Sequence, residues 1–460
     1  MVDIARINSP LVEEKRGNIT LKITLLYEEL FNDATFVPSE GFWREFFMLP
    51  CSTFTLSNIL RSKSATDFLL LQDICRELFS NCISYMQIDK SLDIRVNACQ
   101  TLVCALGQVL SRKYTNYSSD VITILAGFEN VDYIFLELVN LLDLLLKSNE
   151  PINLRNAALH ILCTIVACTY HSIIISYFVN HSLFLSLLHF VSHDAAEADA
   201  HAAITCLGIL CNYQKFESSN PYEAEILNCS DEQAMLRVLH STSEVCKGCV
   251  EDYVAVKNDL LESKLTSVLN YVGLGKMGSA PSPPRIQVPL SFDRLPCERA
   301  SVLLSFYEFV LYNSTFHMLL CGTAVDHLLS FLSFASYLFT HQHRSLRASS
   351  YAYLSLLTLN NFISDPQVCQ ALCIREGEAR ICRQVPPILP ISKDTRKVIL
   401  VLFDVILCGI SHNLRKKLDV RFYIVSIDIL SRLIHHLSNT KTRIVYHWEE
   451  VWKALYNHQR

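Results

Sequence analysis

The sequence predicts an all-α protein, a solenoid of stacked helices, and three observations predict it. A short phrase recurs in one register. Ile94-Arg95-Val96-Asn97-Ala98 leads to Leu102, Leu154-Arg155-Asn156-Ala157-Ala158 leads to Leu162, and Leu346-Arg347-Ala348-Ser349-Ser350 leads to Leu354. A fourth copy sets Ala203 and Leu207 in the same places without the Arg. In each copy a small residue stands four positions before a Leu, so both lie on one helix face. The small residue admits a neighbouring helix and the Leu fills the space beside it, the pattern of stacked helical repeats. The second observation is that 460 residues hold only 12 Gly and 14 Pro, fewer turn residues than a sheet-rich chain needs. The third is that no segment sustains period-2 alternation, so essentially no sheet is expected.

Residues 1–17 are polar and expected to fray. A helix starts near Thr20, with Leu21, Leu25, Tyr27 and Leu30 on its apolar side. A loop with Pro38 leads to a short aromatic helix, Gly41-Phe42-Trp43-Arg44-Glu45-Phe46-Phe47-Met48-Leu49, which Pro50 ends. Helical pattern runs over 52–112 with breaks near Ser64 and Asp89, then over 131–146, 154–191 and 195–212. Pro151 is a start signal for the third of these blocks. Ser218-Ser219-Asn220-Pro221 reads as a loop, and 232–271 as one or two amphipathic helices near the surface. The clearest boundary is 273–296, which holds Pro281-Ser282-Pro283-Pro284. Beyond it, 297–312, 324–340, 345–359, 366–374, 394–410, 420–437 and 445–456 are helical by period. The expected division is a frayed 1–17, helical repeats over 18–272, a linker or loop over 273–296, and a second helical domain over 297–460. Trp448, Val451, Trp452 and Leu455 share a stripe on the last helix, which points to a missing partner or missing sequence.

Half of the residues are hydrophobic, 18% are charged and the net charge is −5, which leaves no basic face of the size nucleic acid requires. Most of the 18 Cys sit inside apolar helices, as core residues do in a reducing compartment. Residues 1–20 carry charges throughout, so no secretory leader is expected. The stretch 157–179 has no Asp, Glu, Lys or Arg and is long enough to span a bilayer. Tyr170-His171-Ser172 reads as a turn within it. The apolar stretches 325–340 and 398–410 each hold an Asp, Asp326 and Asp404. All three read as buried inner helices. The alternative is an integral membrane protein that uses 157–179 and 398–410 as spans.

Little chemistry is spelled out. Gly273-Leu274-Gly275-Lys276-Met277-Gly278 has the G-x-G-x-x-G spacing, but a helix precedes it and a proline cluster follows, where a dinucleotide fold needs a strand and then a helix. Cys246-Lys247-Gly248-Cys249 lacks a second ligand pair; Cys229 and His240 lie upstream unclustered, so it reads as two cysteines on a helix. His193-Asp194 and His341-x-His343 have no nucleophile beside them and read as loop or cap residues. Arg95, Arg155 and Arg347 are expected to lay their stems along a neighbouring repeat and to bond a carboxylate or a helix end. Arg415-Lys416-Lys417, the longest cationic run, reads as a solvated helix end. No catalytic residue, cofactor or metal site is expected. The candidate partner-binding residues are Trp448, Trp452, Arg415 and Lys416.

Leu26-Tyr27-Glu28-Glu29-Leu30-Phe31, the aromatic helix 42–49, Ser411-His412-Asn413-Leu414-Arg415-Lys416-Lys417-Leu418-Asp419 and Val445-Tyr446-His447-Trp448-Glu449-Glu450-Val451-Trp452 resemble the armadillo-like helical domain-containing protein 3 family. The resemblance runs in order along most of the chain, although 215–296 carries no motif of it. It implies a right-handed armadillo- or HEAT-like α-solenoid with no enzymatic activity. It further implies a cytosolic protein recruited peripherally to the Golgi membrane. The implied partners are phosphatidylinositol 4-kinase III beta and a large Arf guanine nucleotide exchange factor. The implied role is support of phosphatidylinositol 4-phosphate levels and Golgi maintenance. Family members continue past the tryptophan helix, which leads us to expect a shortened C-terminal domain here.

Overall fold

Apolar positions at helical spacing run through nearly the whole chain, and the structure forms helices from almost all of them. It is a computed structural model that describes residues 22–87, 90–170, 172–192, 196–215, 219–257, 291–382, 389, 395–413 and 419–456. The chain divides into two units, Met1–His181 and Ser182–Arg460.

The first unit holds α1 Lys22–Asn32, α2 Glu40–Met48, α3 Thr53–Arg61, α4 Ala65–Leu70, α5 Gln72–Tyr85, α6 Leu92–Leu110, α7 Tyr117–Leu125, α8 Val131–Lys147, α9 Ile152–Cys168 and α10 Ile175–Asn180. Helices α3, α6 and α9 stack side by side as one row, with α5 packed on α6 and α8 on α9. The second unit holds α11 Phe184–Ser192, α12 Glu197–Asn212, α13 Pro221–Asn228, α14 Glu232–Lys257, α15 Leu303–Tyr312, α16 Ser314–Cys321, α17 Val325–His341, α18 Leu346–Phe362, α19 Pro366–Ile374, α20 Val398–Asn413, α21 Val420–Asn439 and α22 Trp448–Tyr456. Here α12, α15, α18 and α21 form one row and α11, α14, α17 and α20 the other. The all-α fold of stacked helices expected from the sequence is the fold observed. A two-residue antiparallel ladder, Glu376–Gly377 with Arg396–Lys397, is the sheet found among the described residues.

All four copies of the recurring phrase lie on the helices of these rows, α6, α9, α12 and α18. Ala98 and Leu102, Ala158 and Leu162, and Ala203 and Leu207 are buried as expected. The copy in α18 departs from the register. Ser350 is exposed and returns its hydroxyl to the Leu346 carbonyl, while Ala348, Ala352 and Leu356 form the buried face. Leu346, the residue that starts this copy, is solvent-exposed, in keeping with that rotated face.

The three arginines do what their position predicts. Arg95 donates to the Met86 carbonyl at the end of α5 (3.1 Å) and to Glu150 (2.8 Å). Arg155 donates to the Leu146 carbonyl in the last turn of α8 (3.3 Å). Arg347 donates to the Pro296 carbonyl (3.2 Å) and stands 3.6 Å from the Glu298 carboxylate. Each supplies donors to carbonyl groups that a helix or loop end leaves without a partner.

Several expectations are corrected. Helices α12 and α14, before 258–290, pack on α15 and α17, after it, so 273–296 does not separate two domains. Helix α14 is not a surface helix: Ala234, Met235, Val238, Leu239, Cys246 and Tyr253 are buried. The stretch 157–179 is two helices, α9 ending at Cys168 and α10 starting at Ile175, so it is not a continuous span. Helix α20 has 16 residues and is about 24 Å long, short of the roughly 30 Å hydrocarbon layer. No single helix among the described residues is long and apolar enough to cross a membrane; the pair Ser314–Cys321 and Val325–Arg344 passes by length and composition but is bent by 91°. Three short helices, α7, α13 and α16, occupy segments to which the sequence reading assigned no element. Two of them start at asparagine caps. Asn220 accepts from the Tyr222 N–H and donates to the Leu210 and Cys211 carbonyls at the end of α12. Asn313 accepts from the Phe316 N–H and donates to the Ile226 and Cys229 carbonyls at the end of α13.

A buried ion pair ties the end of α12 to α15. The Lys215 ammonium bonds Glu308 and lies over the rings of Tyr307 (5.0 Å) and Tyr312 (5.2 Å). Burial pushes the Glu308 carboxyl up and the Lys215 charge pulls it back.

Gly208 is, among the described glycines inside helices, the one with least room beside it. A Cβ there would stand 2.7 Å from the Ser305 backbone nitrogen and 2.8 Å from Leu304 Cβ. Gly107, also in a row helix, has 4.0 Å to its nearest neighbour, the Thr164 methyl. Gly208→Ala is therefore expected to lower stability by about 1–3 kcal/mol through overpacking. Gly107→Ala is expected to raise it by about 0.5–1 kcal/mol through helix entropy. Urea unfolding of the two variants measures both signs.

Candidate functional site: the C-terminal helices

Helix α20 is apolar around nearly its whole circumference, and its one acidic residue organises the segment after it. Asp404 is 2% exposed. Its carboxylate accepts from the Arg396 guanidinium and from the Tyr446 hydroxyl, the latter at 2.8 Å. Burial, and next the Asp404 charge, push the Tyr446 hydroxyl well above its ordinary range, so it stays a donor. The Tyr446 ring packs on Phe403 at 5.2 Å, and Trp448 meets Phe403 edge-on at 5.7 Å. These rings strap the chain onto α20 just before α22, which then buries Val451 and Ala454.

The expected stripe is therefore split. Trp448 and Val451 turn toward α20, whereas Trp452 is 61% exposed, with Tyr456 and Val445 also exposed. Helix α21 has a second outward side. It buries Phe422, Ser426, Ile429 and Leu433, and leaves Val420, Ile424 and Ile427 in solvent. Their spacing of four and three residues places them on one stripe. That stripe is written in the sequence, but periodicity alone does not say which of two apolar sides faces inward. Solvated apolar side chains grouped on helix faces mark surfaces for partners.

The other candidate residues that the structure describes do not assemble into a site. Arg415 and Lys416 lie outside the described residues, as do His193-Asp194 and Gly273–Gly278. Cys246 and Cys249 are two buried cysteines on α14, as read; Cys249 Sγ stands 3.7 Å from Cys297 Sγ. The Cys297 thiol is drawn down to about 6, first by its hydrogen bond with Cys249 and also by Arg299, against the effect of burial. His341 is buried, stacked on Tyr253 (5.3 Å) and Phe292 (4.7 Å). His343 stands 6.0 Å, ring to ring, from His412. His240 stands 3.7 Å from Glu197, and no group of three or more His, Cys, Asp or Glu that could hold a metal ion occurs among the described residues.

Asp404→Ala removes the acceptor that holds both Arg396 and Tyr446. The expected cost is on the order of 3 kcal/mol, the cost of orphaning a buried charge partner. Hydrogen exchange should rise mainly over 445–456, because the strap is released before the rows are. Unchanged exchange there would show that the rings alone hold the strap.

With that geometry in place, comparison with known proteins is direct. Residues 396–460 match the profile of the C-terminal domain of armadillo-like helical domain-containing protein 3. The chain is 26% identical over 447 residues to a UPF0588 membrane protein of Schizosaccharomyces pombe, covering 95% of this chain and 73% of that one. It is 23% identical to armadillo-like helical domain-containing protein 3 of Danio rerio, and each alignment partner is covered at 95% and 70%. The Homo sapiens protein of the same name is 22% identical with the same coverage. The crystal structure of an engineered protein superposes at a TM-score of 0.32 with 10% identity, covering 96% of this chain and all of that one, a likeness too loose to use. The profile falls on α20 to α22, the helices that Asp404 and the Tyr446–Trp448 strap hold together, and the similarity to the relatives runs through both units; the chain is similar along most of its length to armadillo-like helical domain-containing protein 3.

Proposed function

We propose that this chain is a non-enzymatic scaffold. It is recruited from the cytosol to the Golgi membrane and binds phosphatidylinositol 4-kinase III beta and a large Arf guanine nucleotide exchange factor there. It thereby supports phosphatidylinositol 4-phosphate supply and Golgi maintenance. The observation that carries the proposal is the outward apolar side of the family's C-terminal domain, Ile424 and Ile427 on α21 and Trp452 on α22. A stacked-helix array offers extended faces that neighbouring repeats hold rigid. Holding a lipid kinase beside its membrane raises the local enzyme concentration without any chemistry in the scaffold.

A second reading, an integral membrane protein, is favoured by the name of the S. pombe relative and by the bent α16–α17 pair. Against it, α17 is lined on nearly all sides by protein, from Leu328 to His341. Alkaline carbonate extraction separates the two: the scaffold washes off membranes and an integral protein stays.

The purified full chain should bind the purified kinase or the exchange factor directly. The double variant Ile424→Ala, Trp452→Ala should weaken that binding by about tenfold or more, as loss of an aromatic anchor does, with no loss of helical signal. No binding of either protein, or binding indifferent to this variant, would contradict the proposal.

A further inference from the structure

Two sulfurs from distant parts of the sequence meet in the second unit. Cys249 lies on α14, and Cys297 stands just ahead of the 3-10 turn Glu298–Val302, which packs along α14. Their Sγ atoms are 3.7 Å apart. Side-chain rotation is what separates thiols in contact from the roughly 2 Å of a disulfide.

The surroundings make the two thiols unequal. Cys249 is buried, whereas Cys297 is only half-buried. The Arg299 guanidinium and backbone N–H both donate to Cys297. That guanidinium lies against α14 at Gly248, 3.8 Å from where a Cβ would stand. The Asp252 carboxyl also bonds Cys297 and is an acidic group that opposes a thiolate there. The Cys249 hydrogen bond, and next Arg299, nevertheless outweigh burial and hold Cys297 below the ordinary thiol range. The same bond, and then burial, push the Cys249 thiol up. A partly exposed thiolate thus stands beside a protonated thiol, the arrangement in which the second sulfur resolves the oxidised first.

We propose that Cys249 and Cys297 are a peroxide-sensitive thiol pair that closes to a reversible disulfide between α14 and the segment leading into α15. The oxidant is a hydroperoxide. The Cys297 thiolate attacks one peroxide oxygen, an S–O bond forms and the O–O bond breaks. With hydrogen peroxide the leaving hydroxide takes a proton and becomes water, and Cys297 becomes a sulfenic acid. Cys249 sulfur then attacks Cys297 sulfur. The S–S bond forms, the S–O bond breaks, and the departing hydroxide leaves as water with the Cys249 proton. Two thiols are oxidised, one peroxide is reduced to two waters, and a thiol reductant reopens the bond.

The segment so fixed is already gripped from three helices. Arg347 donates to the Pro296 carbonyl (3.2 Å), a His201 ring nitrogen meets the Arg299 carbonyl (3.0 Å), and the Thr205 and Ser301 hydroxyls share a hydrogen bond (3.1 Å), while Cys297 meets α14. The disulfide adds a covalent tie at this joint and closes a loop whose ends are 48 residues apart in sequence, which stabilises the folded unit against its unfolded chain. The pair uses neither Trp452 nor the α21 stripe, so it goes beyond the scaffold reading and is tested apart from it.

The full chain, fully reduced, is treated at neutral pH with hydrogen peroxide near one equivalent. Remaining thiols are then alkylated and peptides are mapped by mass. A linked Cys249–Cys297 peptide is expected, two hydrogens lighter than its parts and lost on treatment with dithiothreitol. The unfolding midpoint should rise by several degrees on oxidation and return on reduction. Cys249→Ser should strand a sulfenic acid on Cys297 that dimedone captures, whereas Cys297→Ser should leave Cys249 unlabelled. Because Cys249 is buried, helical signal checks the fold of its variant, and mapping of the unaltered chain decides the case without it. Absence of the linked peptide, pairing of Cys249 with Cys246 in its place, or dimedone capture at Cys249 in Cys297→Ser overturns the proposal.

Discussion

A helix packed inside a stack cannot leave its last carbonyl groups to water. Helices α5, α8, α12 and α13 take donors from a neighbour at their C-terminal ends, so the same solution recurs along this chain. Arg95 serves the end of α5 and Arg155 the end of α8. Asn220 serves the end of α12 and Asn313 the end of α13. Asn413 donates to the Phe339 carbonyl within α17. Each of these side chains begins or ends one helix while completing another. The stacking of apolar faces supplies most of the stability, but these joints fix which helix ends meet which.

This explains what the sequence made legible. Arg95 and Arg155 stood in one register because the joint repeats with the hairpin, so the phrase was a record of packing. Small residues at Ala98, Ala158 and Ala203 marked the helices that form the rows. Arg347 kept its capping role, yet the face beside it turned, leaving Ser350 in solvent and Ala352 inside. A phrase conveys a joint more reliably than a face, because the joint is local and the face depends on what lies across it. The short helices α13 and α16 escaped notice for the same reason. Asn220-Pro221 and Asn313-Ser314 spell caps and turns equally well, and only the tertiary partners of Asn220 and Asn313 decide between them.

The candidate surface was half legible. A tryptophan stripe on the last helix was visible, but Trp448 and Trp452 lie four residues apart and differ by a part of a turn that periodicity blurs. Phe403 decides the matter by taking Trp448. Helix α20 illustrates the opposite case. Its apolar run invites a membrane reading, and the same run is explained by a place in the second row, where Asp404 is satisfied by Arg396 and Tyr446.

The account holds that the helices spend one face on each other and that the C-terminal end keeps an apolar side outward. The chain has three tryptophans, so quenching by acrylamide in variants that keep one tryptophan each, the others being Phe, reads this most directly. Trp43 is buried with its indole N–H donated to Glu77 at 2.8 Å, Trp448 is half-buried against Phe403, and Trp452 stands in solvent. Quenching should rise in the order Trp43, Trp448, Trp452. A Trp452 as protected as Trp43 would mean that the last helix is turned the other way, and that the surface built on it does not exist.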